Sequence, residues 1–363
     1  MMATGAPTTA DLRAAYINNA VERSQNLPRQ SFGLGETLQF VMPHAGVARY
    51  AVLDFQGSLV IGGTGGSIAL SPKAPFNFLQ NVNYVDYLGT TRVNAGAWKL
   101  YERMLTMKYG WAENNPINSQ SYYSTLYDAS VGGGTGVAGT YPLNFSVVVP
   151  IALHENTTQG SLPFTLPEGQ NVISVTFPAS LIGSTVDFPI QQTTAGFTAT
   201  LTGTMGCTYY YYDGLQGVPL PQGDFQVVHE LREVKVSENL VAGQEFIFPL
   251  PTQRTYYMAI QDMILDGKMD TADITRIKFL QDGNTPMLDE YLYPYLLRNF
   301  MAHNNNFPIG MFVHNWWRKP WTPSQYGSLA TSLEISDSAT IVQGDYSSIL
   351  LESLYKSSQV ITG

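Results

Sequence analysis

The stretch Gly243-Gln-Glu-Phe-Ile-Phe-Pro-Leu-Pro251 decides the fold, and a polar turn and a second apolar segment follow it up to Gly267. Apolar residues recur at every second position of the first segment, which is the period of a β-strand with one buried face. Pro251 has no N–H to donate to a strand ladder and therefore ends the strand. Residues 243–267 thus predict two strands that meet at a corner.

The same pattern occurs earlier in the chain, between Gly35 and Gly57. The apolar residues and the closing proline keep a constant offset, so that Leu38, Phe40, Met42 and Pro43 match Phe246, Phe248, Leu250 and Pro251. A helical pattern follows each unit, from Asn94 to Gly110 in the first half and from Met287 to His303 in the second, where Pro294 kinks the helix or opens its second part. A unit that occurs twice in the same order predicts one fold used twice.

Composition and length favour two β-domains over a single core. The chain has 363 residues, of which only 13% are charged, and it is rich in Tyr, Gly and Pro. Soluble domains carry about 25% charged residues, so this profile is typical of a turn-rich protein with a weakly charged surface. We therefore predict an all-β fold of two eight-stranded jelly rolls in tandem, each with an inserted helix. The first roll is residues 31–240, the second is 241–363, and residues 1–30 form an N-terminal helical arm.

The arm differs from the rest of the chain in its charge. Thr8 or Thr9 caps a predicted helix that ends before Pro28. Three arginines against two acidic residues give the arm a charge of +1, whereas the whole chain has a net charge of −9. The arm contacts a membrane or a neighbouring subunit, or else it packs on its own domain. Its candidate contact residues are Leu12, Arg13, Tyr16 and Arg23.

Several functions are not expected from this composition. The chain has 28 acidic and 19 basic residues and no basic run, so direct nucleic-acid binding is not predicted. Cys207 is the single cysteine and cannot form an intrachain disulfide. No glycine-rich motif has the strand-then-helix context of a nucleotide site, so no cofactor is predicted. The five histidines lie in separate segments, and we predict that the protein is not an enzyme.

Four aspartates have the spacing of a calcium-binding loop. Asp262, Asp266, Asp270 and Asp273 stand at positions 1, 5, 9 and 12 of such a loop, with Gly267 at position 6. Position 3 is Ile264, however, and the last ligand is Asp rather than Glu. The apolar residues after Asp262 also continue a strand, so a polar turn between strands is the favoured interpretation.

Trp316, Trp317 and Trp321 lie within six positions of one another. Flat aromatic faces either stack on sugar rings or pack in a core or an interface. Packing is the favoured interpretation. Two functions therefore compete: a self-assembling shell protein, and a carbohydrate-binding or carbohydrate-active β-sandwich protein.

Five stretches carry a family resemblance when they are taken in order: residues 38–47, 77–100, 147–153, 246–250 and 319–329. Together they resemble the double jelly-roll major capsid proteins of tectivirus-type bacteriophages, whose icosahedral shell encloses an internal membrane. The resemblance covers most of the chain.

The resemblance implies a capsid protein that works by association. Homotrimers would present two rolls per subunit as a pseudo-hexagon and would tile with neighbouring trimers. The implied partners are penton and minor capsid or membrane proteins, together with the internal membrane, which the N-terminal arm would contact. The implied location is the virion capsid, after assembly in the host cytoplasm.

Overall fold

A computed structural model describes residues 7–63, 68–106, 138–154, 156–163, 169–192, 196–238, 240–283, 285–303 and 307–356. The helices are α1 (Thr9–Asn19), α2 (Ala97–Thr106), α3 (Gln222–Phe225), α4 (Leu292–His303) and α5 (Pro323–Tyr326). The strands are β1 (Glu22–Ser31), β2 (Thr37–Met42), β3 (Val47–Gly63), β4 (Ile68–Leu70), β5 (Asn81–Val85), β6 (Thr91–Ala95), β7 (Gly139–Pro150), β8 (Asn171–Thr176), β9 (Ile182–Gly183), β10 (Ile190–Gln192), β11 (Phe197–Tyr212), β12 (Val227–Val236), β13 (Glu245–Pro249), β14 (Thr255–Leu265), β15 (Lys268–Met269), β16 (Ile274–Gln281), β17 (Thr285–Tyr291), β18 (Met311–Asn315), β19 (Leu329–Ile335) and β20 (Tyr346–Lys356).

The first roll is a sandwich of two four-stranded layers. One layer has the order β1-β11-β3-β7, and the other has the order β2-β8-β5-β6. Strands β2 and β3 lie in different layers, so the chain crosses the sandwich at the corner between them. Gly46 makes this corner with a φ of 59°, and a Cβ at this position would lie 2.3 Å from the ring of Tyr211. Only glycine adopts this conformation without strain at such a close approach.

The second roll repeats the first strand by strand. Its layers have the orders β12-β20-β14-β18 and β13-β19-β16-β17. The inserted helix also falls between equivalent strands, because α2 follows β6 and α4 follows β17. The tandem jelly-roll fold predicted from the repeated stretch is therefore confirmed.

Three boundaries differ from the sequence predictions. The N-terminal helix begins with Thr8 as its cap, but it ends at Asn19, and β1 then pairs with β11. Residues 227–236, which we assigned to the first roll, pair along their whole length with β20. By strand pairing, the rolls therefore begin at β1 and β12 rather than at residues 31 and 241. Residues 287–291 are strand rather than helix, and Pro294 lies in the first turn of α4, where proline is tolerated.

The sequence of β1 does not show the pattern of a strand. It is an edge strand whose side chains are nearly all exposed, so it lacks the alternation of apolar and polar residues that identifies a strand. Pro28 lies where the register with β11 shifts, between Leu27 and Gln30. Edge strands and bulges are the places where sheets tolerate proline. The proline that predicted the end of a helix therefore marks an irregularity in a strand.

The two rolls share part of one hydrophobic core. Alternate residues of β14 face opposite sides: Ala259 and Met263 point into the second roll, whereas Met258 and Ile260 pack with residues of the first roll. Strand β14 is consequently buried on both faces, whereas its counterpart β3 alternates between buried and half-buried positions. Strand β12 also pairs with β6 at two positions, which joins layers of the two rolls into one nine-stranded sheet.

Two truncations test the assignment of β1 to the first roll. Deletion of residues 1–19 removes α1 and leaves the strand, whereas deletion of residues 1–31 also exposes the edge of β11. We expect the longer deletion to lower the thermal unfolding temperature further and to promote aggregation. Circular dichroism melts of both variants measure the difference, and equal unfolding temperatures would contradict the assignment.

Candidate functional site

Helix α2 fills the space between the two rolls. All of its residues except Tyr101 and Leu105 are buried, including the charged Lys99, Glu102 and Arg103. Fully buried helices are normally apolar all round, and a buried charge is costly unless a partner of opposite charge lies beside it. The partners of α2 come from the second roll.

A lysine connects α2 to strand β14. Lys99 Nζ lies 2.8 Å from Glu102 Oε2 on the same helix and 2.8 Å from Asp262 Oδ2 on β14. Trp98 Nε1 donates a hydrogen bond of 3.2 Å to the same oxygen of Asp262. Burial lowers the pKa of Lys99, but the neighbouring carboxylates outweigh burial and raise this pKa above its ordinary value.

An arginine connects α2 to strand β20. Arg103 Nε and Nη2 donate to Glu352 Oε1 at 2.9 and 2.5 Å, and Nη2 also donates to the Leu153 carbonyl at 3.0 Å. His229 Nε2 on β12 lies 2.9 Å from the same carboxylate oxygen. Burial raises the pKa of Glu352, but Arg103 and His229 together outweigh burial, and the net shift is downward. Burial lowers the pKa of His229, so its ring is neutral at pH 7.

Helix α4, the counterpart of α2 in the second roll, has an uncovered outer face. Tyr293, Leu297 and Met301 are 80%, 60% and 73% exposed and lie in one stripe along the helix. Tyr295 and Asn299 on the opposite face are buried. Single exposed apolar residues are ordinary, but a contiguous group of large ones marks an interaction surface.

The first roll presents a surface equivalent to the one that α2 covers on the second roll. The constant offset between β3 and β14 matches the outward-facing Tyr50, Val52 and Asp54 with Met258, Ile260 and Asp262, all of which are buried beneath α2. The three residues of β3 are only half-buried. An exposed helix face and a half-buried sheet face therefore occupy, on different rolls, the positions whose counterparts meet at the internal junction.

The four aspartates of the predicted calcium loop do not converge. Asp262 is buried in the junction, and Asp266 lies in the tight turn between β14 and β15, where its carboxylate pairs with Lys268 at 2.9 Å. Asp270 Oδ1 accepts a hydrogen bond from the backbone N–H of Asp273 at 2.8 Å. Within the described ranges, no group of three or more His, Cys, Asp or Glu side chains could hold a metal ion. Asp262 thus lies in a strand and Asp266 in the turn that follows it, and the absence of a calcium site stays a prediction.

The three tryptophans pack against neighbouring aromatic residues. Trp316 and Trp321 lie on either side of Phe279, with ring centroids at 4.7 and 5.6 Å. Trp317 contacts the rings of His154 and Tyr257 at 5.5 and 5.2 Å. All three are half-buried. Their role in an interface between subunits stays a prediction.

The candidate residues of the arm are engaged within the chain. Arg13 makes two hydrogen bonds to Asp224, at 2.7 and 2.5 Å, and Arg23 pairs with Asp213 at 2.5 Å. Tyr16 is buried and Leu12 is half-buried, so α1 packs on its own chain. Its exposed residues are small or uncharged apart from Asp11. No helix in the part of the chain that the structure describes is long and apolar enough to cross a membrane.

The sequence located α2 but missed the charged residues that make it functional. Leu100 and Met104 have helical spacing and predict the helix. Lys99, Glu102 and Arg103 have the composition of an exposed helix face, and nothing near them in the chain indicates burial. Their partners lie in the other half of the sequence.

The geometry defines a class of protein: tandem jelly rolls joined by a buried helix. The same fold is found in the major capsid protein of Sulfolobus turreted icosahedral virus, with a TM-score of 0.69 and 13% identity over 93% of this chain and 97% of that one. It is also found in the capsid of PBCV-1 virus (TM-score 0.54, 10% identity, 93% and 94% covered) and in the major capsid protein P2 of bacteriophage PM2 (0.53, 10%, 93% and 99%). No family model matches the sequence, and no curated protein matches it.

Substitution of Arg103 by Met tests the junction. The change would leave Glu352 buried beside a neutral histidine, and an unpaired buried charge costs about 3–5 kcal/mol of unfolding free energy. Urea unfolding measures this loss. Arg276→Met is the control, because its pair with Asp289 lies at the surface and should contribute little. Equal effects of the two changes would contradict this account of the junction.

Proposed function

We propose that this protein is a viral major capsid protein whose homotrimers tile an icosahedral shell. The fold that it shares with capsid proteins supports the class of function. The uncovered apolar stripe of α4 carries the proposal of self-association, because the same position in the first roll, α2, is covered by the second roll.

The internal junction is the template for the contact between subunits. There, α2 of the first roll packs on the outer face of β14 and β20. In the assembly, α4 packs in the same way on the outer face of β3 and β11 in the next subunit. A contact between two different surfaces is heterologous and forms a ring when the rotation closes. Three subunits then place six similar rolls in one ring, a pseudo-hexagon that can tile with neighbouring trimers.

The oligomeric state is tested by light scattering after size exclusion. We expect a mass of three times 39.9 kDa in both low and high salt, because an apolar interface on the order of 2,000 Å² is insensitive to screening. A mass near 39.9 kDa would contradict the trimer and favour the carbohydrate-binding alternative.

Two substitutions locate the interface. The double variant Leu297→Glu and Met301→Glu places charges on the stripe of α4 and should yield a folded monomer. Ile247→Glu is the matched control, because it is an exposed apolar residue on β13, at the opposite edge of the layer that α4 follows. A trimer in the double variant, or a monomer in the control, would place the interface elsewhere.

We also propose that the end of the protein that carries α1 and residues 316–321 faces the internal membrane of the virion. Arg318 and Lys319 are exposed between the half-buried Trp317 and Trp321. Tryptophan and basic residues are enriched together at membrane surfaces, where they contact headgroups and anionic lipids. In this arrangement α1 would pack behind the membrane-facing loop and would not itself contact the membrane. Penton and minor capsid or membrane proteins are the further proposed partners, with assembly in the host cytoplasm.

Vesicle flotation tests the membrane-facing loop. The purified protein should bind vesicles of phosphatidylcholine and phosphatidylglycerol, and Arg318→Gln with Lys319→Gln should weaken binding roughly 30-fold at about 1 kcal/mol per charge. The control, Lys268→Gln with Arg276→Gln, removes two charges outside the loop. Equal binding by both variants would contradict the role of the loop, and trimer formation is measured separately.

A further inference from the structure

Two buried carboxyl groups share a single lysine at the junction. Lys99, Glu102 and Asp262 are each 2% exposed or less. The carboxyl groups of Glu102 and Asp262 each lie 2.8 Å from the same atom, Lys99 Nζ. Glu102 Oε2 and Asp262 Oδ2 face Lys99, whereas Glu102 Oε1 and Asp262 Oδ1 receive no hydrogen bond from a donor among the described residues. The single positive charge of Lys99 therefore lies between two carboxyl groups.

The other lysines that line the cavity beside this group, Lys73 and Lys235, are paired with Asp187 at 3.0 and 3.7 Å. Glu233 on β12 acts on Lys99 and adds negative charge to the group. The nearest arginine, Arg103, is engaged by Glu352 on β20, where His229 also donates. Like-charged carboxylates in a site poor in water cannot both stay ionised, and one of them retains a proton. Burial, followed by the neighbouring Asp262, raises the pKa of Glu102 well above its ordinary value.

We propose that Glu102 keeps its proton at neutral pH and donates it to Asp262, and that loss of this proton in alkaline solution weakens the junction between the rolls. The proton supplies the missing O–H donor between the two carboxyl groups. It also leaves the group of three side chains electrically neutral.

A cavity provides the proton with a route to solvent. It has a volume of about 330 Å³ and lies in the seam between the rolls. Its lining reaches from the buried Lys99 and Asp262 to the exposed Ala179 and Ser180. The pair can therefore respond to external pH without unfolding of either roll. This device is independent of the proposed capsid function.

The direction of the pH effect follows from the extra proton of the folded state. The stabilisation is complete at low pH and is lost as the pH rises toward the folded-state pKa, with a tenfold fall in the folding equilibrium constant per pH unit. His229 and His314 have pKa values lowered by burial, so they affect stability below 6.5. Burial raises the pKa of Cys207 from 9.0 to about 12, so the ionisation of this thiol affects stability at a higher pH than that of Glu102. The window from about pH 7 to 8.5 isolates the carboxyl pair.

Urea unfolding of the full chain across this window is the test. The wild-type folding equilibrium constant should fall across this window as the pH rises, by up to about tenfold per pH unit. Glu102→Gln should abolish the fall, because its amide donates to Asp262 and accepts from Lys99 at every pH. Asp262→Asn should also abolish it, because Lys99 then pairs with one carboxylate. Glu238→Gln, an exposed control, should keep the wild-type slope.

Infrared spectroscopy provides a second readout that does not depend on the stability of the variants. The C=O stretch of a protonated carboxyl should be present in the wild type at neutral pH and should disappear on raising the pH. Glu102→Gln should lack this band at neutral pH. A wild-type spectrum without the band, or a stability slope that persists in both junction variants, would overturn the proposal.

Discussion

Helix α2 is buried although it carries charged side chains. The arrangement of the two rolls depends on the partners that compensate these charges. Lys99 and Arg103 are in an environment where an unpaired charge costs several kcal/mol. Their partners, Asp262 and Glu352, are on strands of the second roll. Ion pairs and hydrogen bonds require particular distances and directions, whereas apolar contacts tolerate sliding. We expect the charged groups to fix the register of the junction, and the apolar residues around them to supply most of its free energy.

The repeated topology places equivalent helices in the two rolls, and these helices differ in burial. The second roll covers α2, whereas the described residues leave Tyr293, Leu297 and Met301 of α4 exposed. The covered junction shows what kind of surface fits such a helix: a sheet face with apolar residues and a few charges. The outer face of β3 has this character and is only half-buried. In the trimer that we propose, the contact between chains would repeat the contact that the two rolls make within one chain.

Much of the fold was predictable because its signals are local. Alternation identified the strands at both corners, and helical spacing identified α2. Thr8 and Asp11 form the predicted cap of α1. The constant offset between the two halves predicted the tandem rolls. Each of these signals is carried by residues that are neighbours in the chain, or by comparison of one stretch with another.

The sequence by itself determined the class of fold, the repeat and the positions of the inserted helices. Only the tertiary structure decided that β1 and β12 are the first strands of their rolls, because an edge strand with exposed side chains has no periodic signal. Only the tertiary structure separated Asp262 from the aspartates of the turn and placed it beside Lys99. The physical reason is that the sequence shows which side chains are charged and therefore require either a counter-charge or water. Only the folded chain decides which of the two lies beside each of them.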